Sequence, residues 1–105
     1  MDEKRLPTRE GDEELVRRSR AGDPGAFGAL VDRYKHGIYW MVARIAGREE
    51  AEDLAQEAFV RAYQALPRFR GECTFRTWIF KIARNLSLSE IRRRGRRPEL
   101  LSWEE

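Results

Sequence analysis

The apolar residues Phe27, Leu30, Val31, Tyr34, Ile38, Met41, Val42 and Ile45 recur at i, i+3, i+4 and i+7, the period of one helix face. Just ahead of them Asp23 suits an N-cap and Pro24 the first helical position, and Gly47 ends the run. Gly37 falls inside it, at a cost of about 1 kcal/mol relative to alanine. Upstream, residues 12 to 21 predict a shorter helix, stopped by Gly22. A third helix opens with Glu49, Glu50, Glu52 and Asp53, carboxylates that suit the positive end of a helix dipole. Its apolar stripe is Ala51, Leu54, Ala55, Ala58, Phe59, Ala62, Ala65 and Leu66, rich in alanine and so fit for close helix–helix approach, and Pro67 closes it. After the loop RFRGEC a fourth helix begins near Thr74 and carries Phe75, Ile79, Ile82, Ala83 and Leu86 on one face. The glycine and proline of the RRRGRRP run end it. No segment alternates with the period of a strand. The expected fold is all-α, a compact bundle of about four helices over residues 12–97, between a flexible arm at 1–11 and a tail at 98–105.

Composition narrows the possible chemistry. A chain of 105 residues predicts one domain. The longest apolar run, residues 38 to 43, is far short of the roughly 20 residues of a membrane span. The N-terminus, MDEKRLPTREGDEE, has no apolar signal region, so a cytoplasmic location without membrane insertion is expected. Cys73 is the single cysteine and His36 the single histidine, which leaves no internal disulfide and no Cys/His zinc cluster. Both read as structural residues, and no cofactor is implied.

The net charge of +3 is small, but its distribution is uneven. Glu49, Glu50, Glu52, Asp53 and Glu57 fall in a stretch with no base, whereas from Leu66 to Arg97 only Glu72 and Glu90 stand against the many arginines and lysines. An acidic region and a basic region on one small domain suggest two different partners.

On the third helix Asp53, Gln56, Glu57, Val60 and Gln64 project opposite the apolar stripe. They form either a solvated face or an apolar spot with a polar rim, as in a protein interface. Glu49, Asp53 and Glu57 at i, i+4 and i+8 are also compatible with Mg²⁺ or Ca²⁺, but no carboxylate cluster or Glu-x-x-His on another helix completes a site, and none is expected. No pocket for acid–base catalysis is legible, so no enzyme is expected.

On the fourth helix Trp78 lies about 60° from Phe75, with Asn85 and Ser89 within about 40° of Trp78 and Lys81 and Arg92 beside them. This ridge is either the wet edge of a core helix or a single-strand surface, where aromatics stack bases, cations hold phosphates and an amide reads a base edge. The preceding loop adds Phe69, Arg70 and Gly71. Phe80, about 140° from Phe75, is either a second contact or a packing residue for the first helix. The arginines at 92, 93, 94, 96 and 97 suit phosphate binding or a solvated linker.

The words GDPGAFGALVDRY and EEAEDLAQEAFVRAYQALPRFRGECTFRTWIFKIARN, with the trailing arginines, cover about residues 12–97. They resemble the region 2 domain of bacterial extracytoplasmic-function sigma factors. The resemblance implies a promoter-recognition and melting domain of an alternative sigma factor. It implies that Asp53, Leu54, Gln56, Glu57, Val60 and Tyr63 dock on the clamp helices of the largest subunit of core RNA polymerase. It further implies that Ala65, Phe69, Arg70, Gly71, Phe75, Trp78, Phe80, Asn85 and Ser89 hold the single non-template strand of the minus-ten element, one base flipped into a pocket. Lys81, Arg84, Arg92, Arg93 and Arg94 would hold its backbone. Ser89 departs from the amide frequent at that position of the family. The family's second, helix-turn-helix domain (region 4) is absent from these residues, and ELLSWEE is expected to begin the linker to it. The alternative is a helical interaction module for an acidic partner such as an anti-sigma factor.

Overall fold

The computed structural model describes residues 10–95. Among them run four helices, α1 (Asp12–Arg20), α2 (Pro24–Ala46), α3 (Arg48–Ala65) and α4 (Phe75–Arg93), with a 3₁₀ turn at Leu66–Arg68. No described residue is in a strand. Residues 1–9 of the expected arm, the arginines at 96 and 97, and the tail at 98–105 lie outside the described residues. Glu10 and Gly11, expected in that arm, are instead tied to the fold. Glu10 pairs with Arg18, and the Gly11 carbonyl accepts the Leu15 amide at 3.1 Å.

Local chemistry sets the helix ends. The Asp23 carboxylate accepts the Gly25 amide at 3.0 Å and Pro24 opens α2. The Thr74 hydroxyl accepts the Thr77 amide at 3.0 Å to cap α4. Gly47 alone joins α2 to α3, at φ +99°, a backbone conformation that residues with a Cβ rarely adopt.

Helix α2 is the hub, packed against α1, α3 and α4. Its Leu30, Ile38 and Val42 are fully buried with Ala51, Ala58 and Ala62 of α3. These alanines let the two backbones approach. Helix α1 is held by its ends. Asp12 accepts from Arg33 at 2.6 Å and from the Tyr34 hydroxyl, and Arg20 donates to the Pro67 carbonyl at 3.3 Å. Burial first, and Asp12 second, push the Tyr34 phenol up to about 12.

Helix α4 buries Phe75, Ile79 and Ala83 of the expected stripe, but its inward face is rotated from Ile82 and Leu86, which pack at the edge of the core, toward Ser87 and Ile91. Its buried line is Phe75, Ile79, Ala83, Ser87 and Ile91, a single i, i+4 ridge, while Ile82 and Leu86 are only half-buried. Ala83 and Ser87 are small enough for close contact, and the Ser87 hydroxyl is satisfied by the Ala83 carbonyl at 2.9 Å. The shift carries Phe80 to the flank facing α2, so it packs there and not on the first helix. Its ring meets Tyr34 edge-on at 6.5 Å. A Cβ on Gly37 would lie 3.2 Å from its Cζ, which accounts for the mid-helix glycine.

Candidate functional site

Two exposed faces stand out. On α3, Asp53, Gln56, Glu57, Val60, Gln64 and Ala65 line a shallow depression of about 870 Å³, edged by Arg61 and Arg68. Val60 is 49% exposed in its middle, and Glu57 pairs with Arg61 at 2.8 Å. Tyr63 is 52% exposed at one side and rests edge-on against Phe27, ring centroids 5.0 Å apart. Leu54 is buried beneath this face. It belongs to the core, so a partner reaches it only through its neighbours.

The second face runs along α4. Trp78 is half-buried and stacks on Phe69 at 4.5 Å with 29° between the rings. Phe69 is itself buried, so the loop phenylalanine is the footing of Trp78 and not an exposed contact. Phe75 is buried too, 5.9 Å from Trp78. Asn85 is exposed, and no protein group holds its amide among the described residues. Ser89 is exposed, with its hydroxyl accepting from Arg92 at 3.3 Å.

Residues expected to share one base pocket border three different hollows among the described residues. Phe69, Arg70, Gly71 and Phe75 border a groove of about 1060 Å³ shared with α1, Ala65 lines the α3 depression, and Phe80, Lys81 and Arg84 line a third hollow beside α2. Asn85 and Ser89 lie on open helix surface. Gly71 sits at φ +78° with open space where a Cβ would be, so the turn itself calls for glycine, without any crowding by a neighbour.

The arginine run is also divided. Arg94 is no free cation. Its guanidinium donates to Glu90 at 3.2 Å and to the Ala46 carbonyl at 3.1 Å and reaches Glu50 at 3.6 Å. It staples α4 to the α2–α3 corner. Arg93 pairs with Glu90 at 2.6 Å, and the hydrogen bond from Arg93 holds the Glu90 carboxyl below the usual carboxylate range, with Arg94 adding to it. Arg92 keeps an exposed guanidinium. Sequence reasoning missed Arg76, which lies over the Phe80 ring at 5.0 Å. The signal was the i, i+4, i+8 spacing of Arg76, Phe80 and Arg84. It also missed Trp40, 55% exposed on α2 and edge-on to Tyr39. His36, read as structural, is exposed, and Cys73 is half-buried in the loop. Among the described residues no cluster of His, Cys, Asp or Glu is placed to hold a metal, and no helix is long and apolar enough to cross a membrane.

Residues 30–97 match the family model for sigma-70 region 2. The chain belongs to the sigma-70 region 2 family. This region 2 domain is 46% identical over 92 residues to the RNA polymerase sigma-H factor of Pseudomonas aeruginosa, covering 87% of this chain and 48% of the relative. It is 42% identical over 87 residues to the ECF RNA polymerase sigma-E factor of Escherichia coli K12, covering 83% and 46%. The chain thus spans about half the length of the curated relatives it matches. Among solved structures, the region 2 fold resembles an engineered region 2 of sigmaE in complex with GTAAAA, with a TM-score of 0.78, 36% identity and coverage of 87% and 96%. It also resembles CnrH in complex with the cytosolic domain of CnrY, with a TM-score of 0.71, 28% identity and coverage of 76% and 53%.

Proposed function

We propose that this chain is the promoter-recognition and melting domain of an extracytoplasmic-function type sigma factor, acting in the cytoplasm over residues 12–97. In this reading the α3 depression docks on the clamp helices of the largest RNA polymerase subunit. The α4 ridge, with the Phe69 loop, holds the non-template strand of the minus-ten element. The observation that carries the reading is the placement of a half-buried Trp78, fixed by Phe69, on the same ridge as the unpartnered Asn85 amide. A preset aromatic face beside a free amide suits an unstacked base.

The energetics require both faces. Unstacking a promoter base costs a few kcal/mol, and stacking on a protein aromatic returns roughly 1–3 kcal/mol. One base barely balances. Phosphate contacts from Lys81, Arg84 and Arg92, and anchoring on polymerase through α3, supply the remainder. This is binding chemistry, and no bond is made or broken by these residues. A second reading, occupation by an anti-sigma factor, is favoured by one finding, the similarity to CnrH in complex with the cytosolic domain of CnrY. The two readings are compatible, because a partner covering either face would silence the domain.

The test is Asn85→Ala, assayed with core polymerase on a fork-junction template whose minus-ten bases are varied singly. The expected outcome is a relaxed preference at one position with general affinity retained, since base contacts specify and phosphate contacts position. Uniform loss at every sequence would make the ridge merely electrostatic.

A further inference from the structure

The loop between α3 and α4 has little polar structure of its own. Among the described residues, Arg70, Gly71, Glu72 and Cys73 make no hydrogen bond and no ion pair. Phe69 is buried and Cys73 packs at the edge of the core, but no backbone bond fixes the chain between them. The form of this stretch therefore follows from where its two ends are set.

Both ends are tied to α1. At the start of the loop the Arg20 guanidinium donates to the Pro67 carbonyl at 3.3 Å, two residues before Phe69. Arg17 and Arg18 of the same helix hold carboxylates, whereas the bond to Pro67 is the single polar contact of the Arg20 side chain among the described residues. At the finish, Asp12 accepts from the Tyr34 hydroxyl, and the Tyr34 ring lies 5.9 Å from that of Phe75, the first residue of α4. Asp12 and Arg20 are the first and last residues of α1, about 12 Å apart along the axis. Between the two ties, α1 stands off from the loop across the groove of about 1060 Å³. The helix is a strut that fixes the span of the loop without filling the space beside it.

We infer that Arg20 and Tyr34 are positioning residues for minus-ten recognition, which set the seat of Phe69 under Trp78 by spacing the ends of the loop and touch no DNA themselves. The inference rests on the promoter-DNA reading above. A base stacked on a tilted Trp78 meets the Asn85 amide off its line, and hydrogen bonds weaken steeply with angle. Attraction between cations and phosphates has no such directional demand. Loss of the strut therefore acts on base preference before general affinity, since base contacts specify and phosphate contacts position.

The experiment compares the parent with Arg20→Met, which keeps the stem and removes the donor, and with Tyr34→Phe, which keeps the ring and removes the hydroxyl. Each chain, bound to core polymerase and held below its melting transition, is titrated with fork-junction DNA whose minus-ten bases are varied singly, at several NaCl concentrations. In either variant, discrimination at one position should fall about 5-fold, the lower end of what one matched base is worth. The slope of log affinity against log salt should stay parental. A parent that prefers the minus-ten strand over a scrambled strand, with both variants keeping its discrimination, overturns the strut and spares the promoter reading, whether or not the variants melt earlier. A parent without that preference overturns both. A slope smaller by about 1 in Arg20→Met, with parental discrimination, would make Arg20 a phosphate contact and also overturn the inference.

Discussion

Helices α3 and α4 each present a candidate surface, but they divide the labour between fold and function differently. On α3 the two sets of residues occupy opposite sides. Ala51, Ala55, Ala58 and Ala62 are buried against the bundle, while Gln56, Glu57 and Val60 face solvent. On α4 the sets interleave. Trp78 is half-buried and stands on the buried Phe69, and Phe75 touches Trp78 while packing against Phe27 and Tyr34. A surface that needs only charge and shape for a protein partner can be laid over a finished helix. A surface that must hold a base needs a rigid ring, and rigidity comes only from packing.

The sharpest way to break this contrast is Phe69→Ala. Removing a buried phenylalanine costs about 3–5 kcal/mol and takes away the footing of Trp78. The melting temperature and minus-ten binding should fall together. Retained DNA affinity in a destabilised variant would show that Trp78 holds its place without Phe69. A smaller effect is expected from Arg94→Ala, which removes the staple to Ala46. Losing a hydrogen bond from a charged donor costs about 1.5–3 kcal/mol, or several degrees in melting temperature for a domain of this size. Arg92→Ala should leave the melt unchanged. If the two variants melt alike, the staple contributes nothing. The smallest change in stability is expected on α3. Gln56→Ala with Glu57→Lys should shift stability by less than about 0.5 kcal/mol yet weaken capture of core polymerase. Unfolding of this variant, or undiminished capture, would erase the distinction between the helices.

The sequence made the helices legible because their signals are local. Asp23, Pro24 and Gly47 mark ends by backbone chemistry, and the α2 stripe is long enough to fix its phase. The fold class, an all-α bundle of four helices, follows from them. What stayed hidden depends on neighbours. Phe80 could not be assigned to α2 until the small Ala83 and Ser87 turned α4 on its axis, and Gly37 had no explanation until Phe80 arrived above it. Arg94 looked like the arginines beside it, because its partners Ala46 and Glu50 lie on other helices and only the tertiary fold brings them near. The free state of Asn85 and the footing of Trp78 are likewise properties of the packed molecule. A motif names such residues, but it does not tell which of them support and which of them touch.

The rings of Tyr63, Phe27, Phe75 and Trp78 follow one another at centroid spacings of 5.0, 6.5 and 5.9 Å, from the rim of the α3 depression to the α4 ridge. Large flat groups in serial contact behave as a gauge block. They set a length through packing, most firmly at the buried Phe27 and Phe75. In the proposed reading these packed rings span from the polymerase-facing side to the base-binding ridge, so the position at which a duplex opens would be measured from the enzyme by solid matter and not found by search.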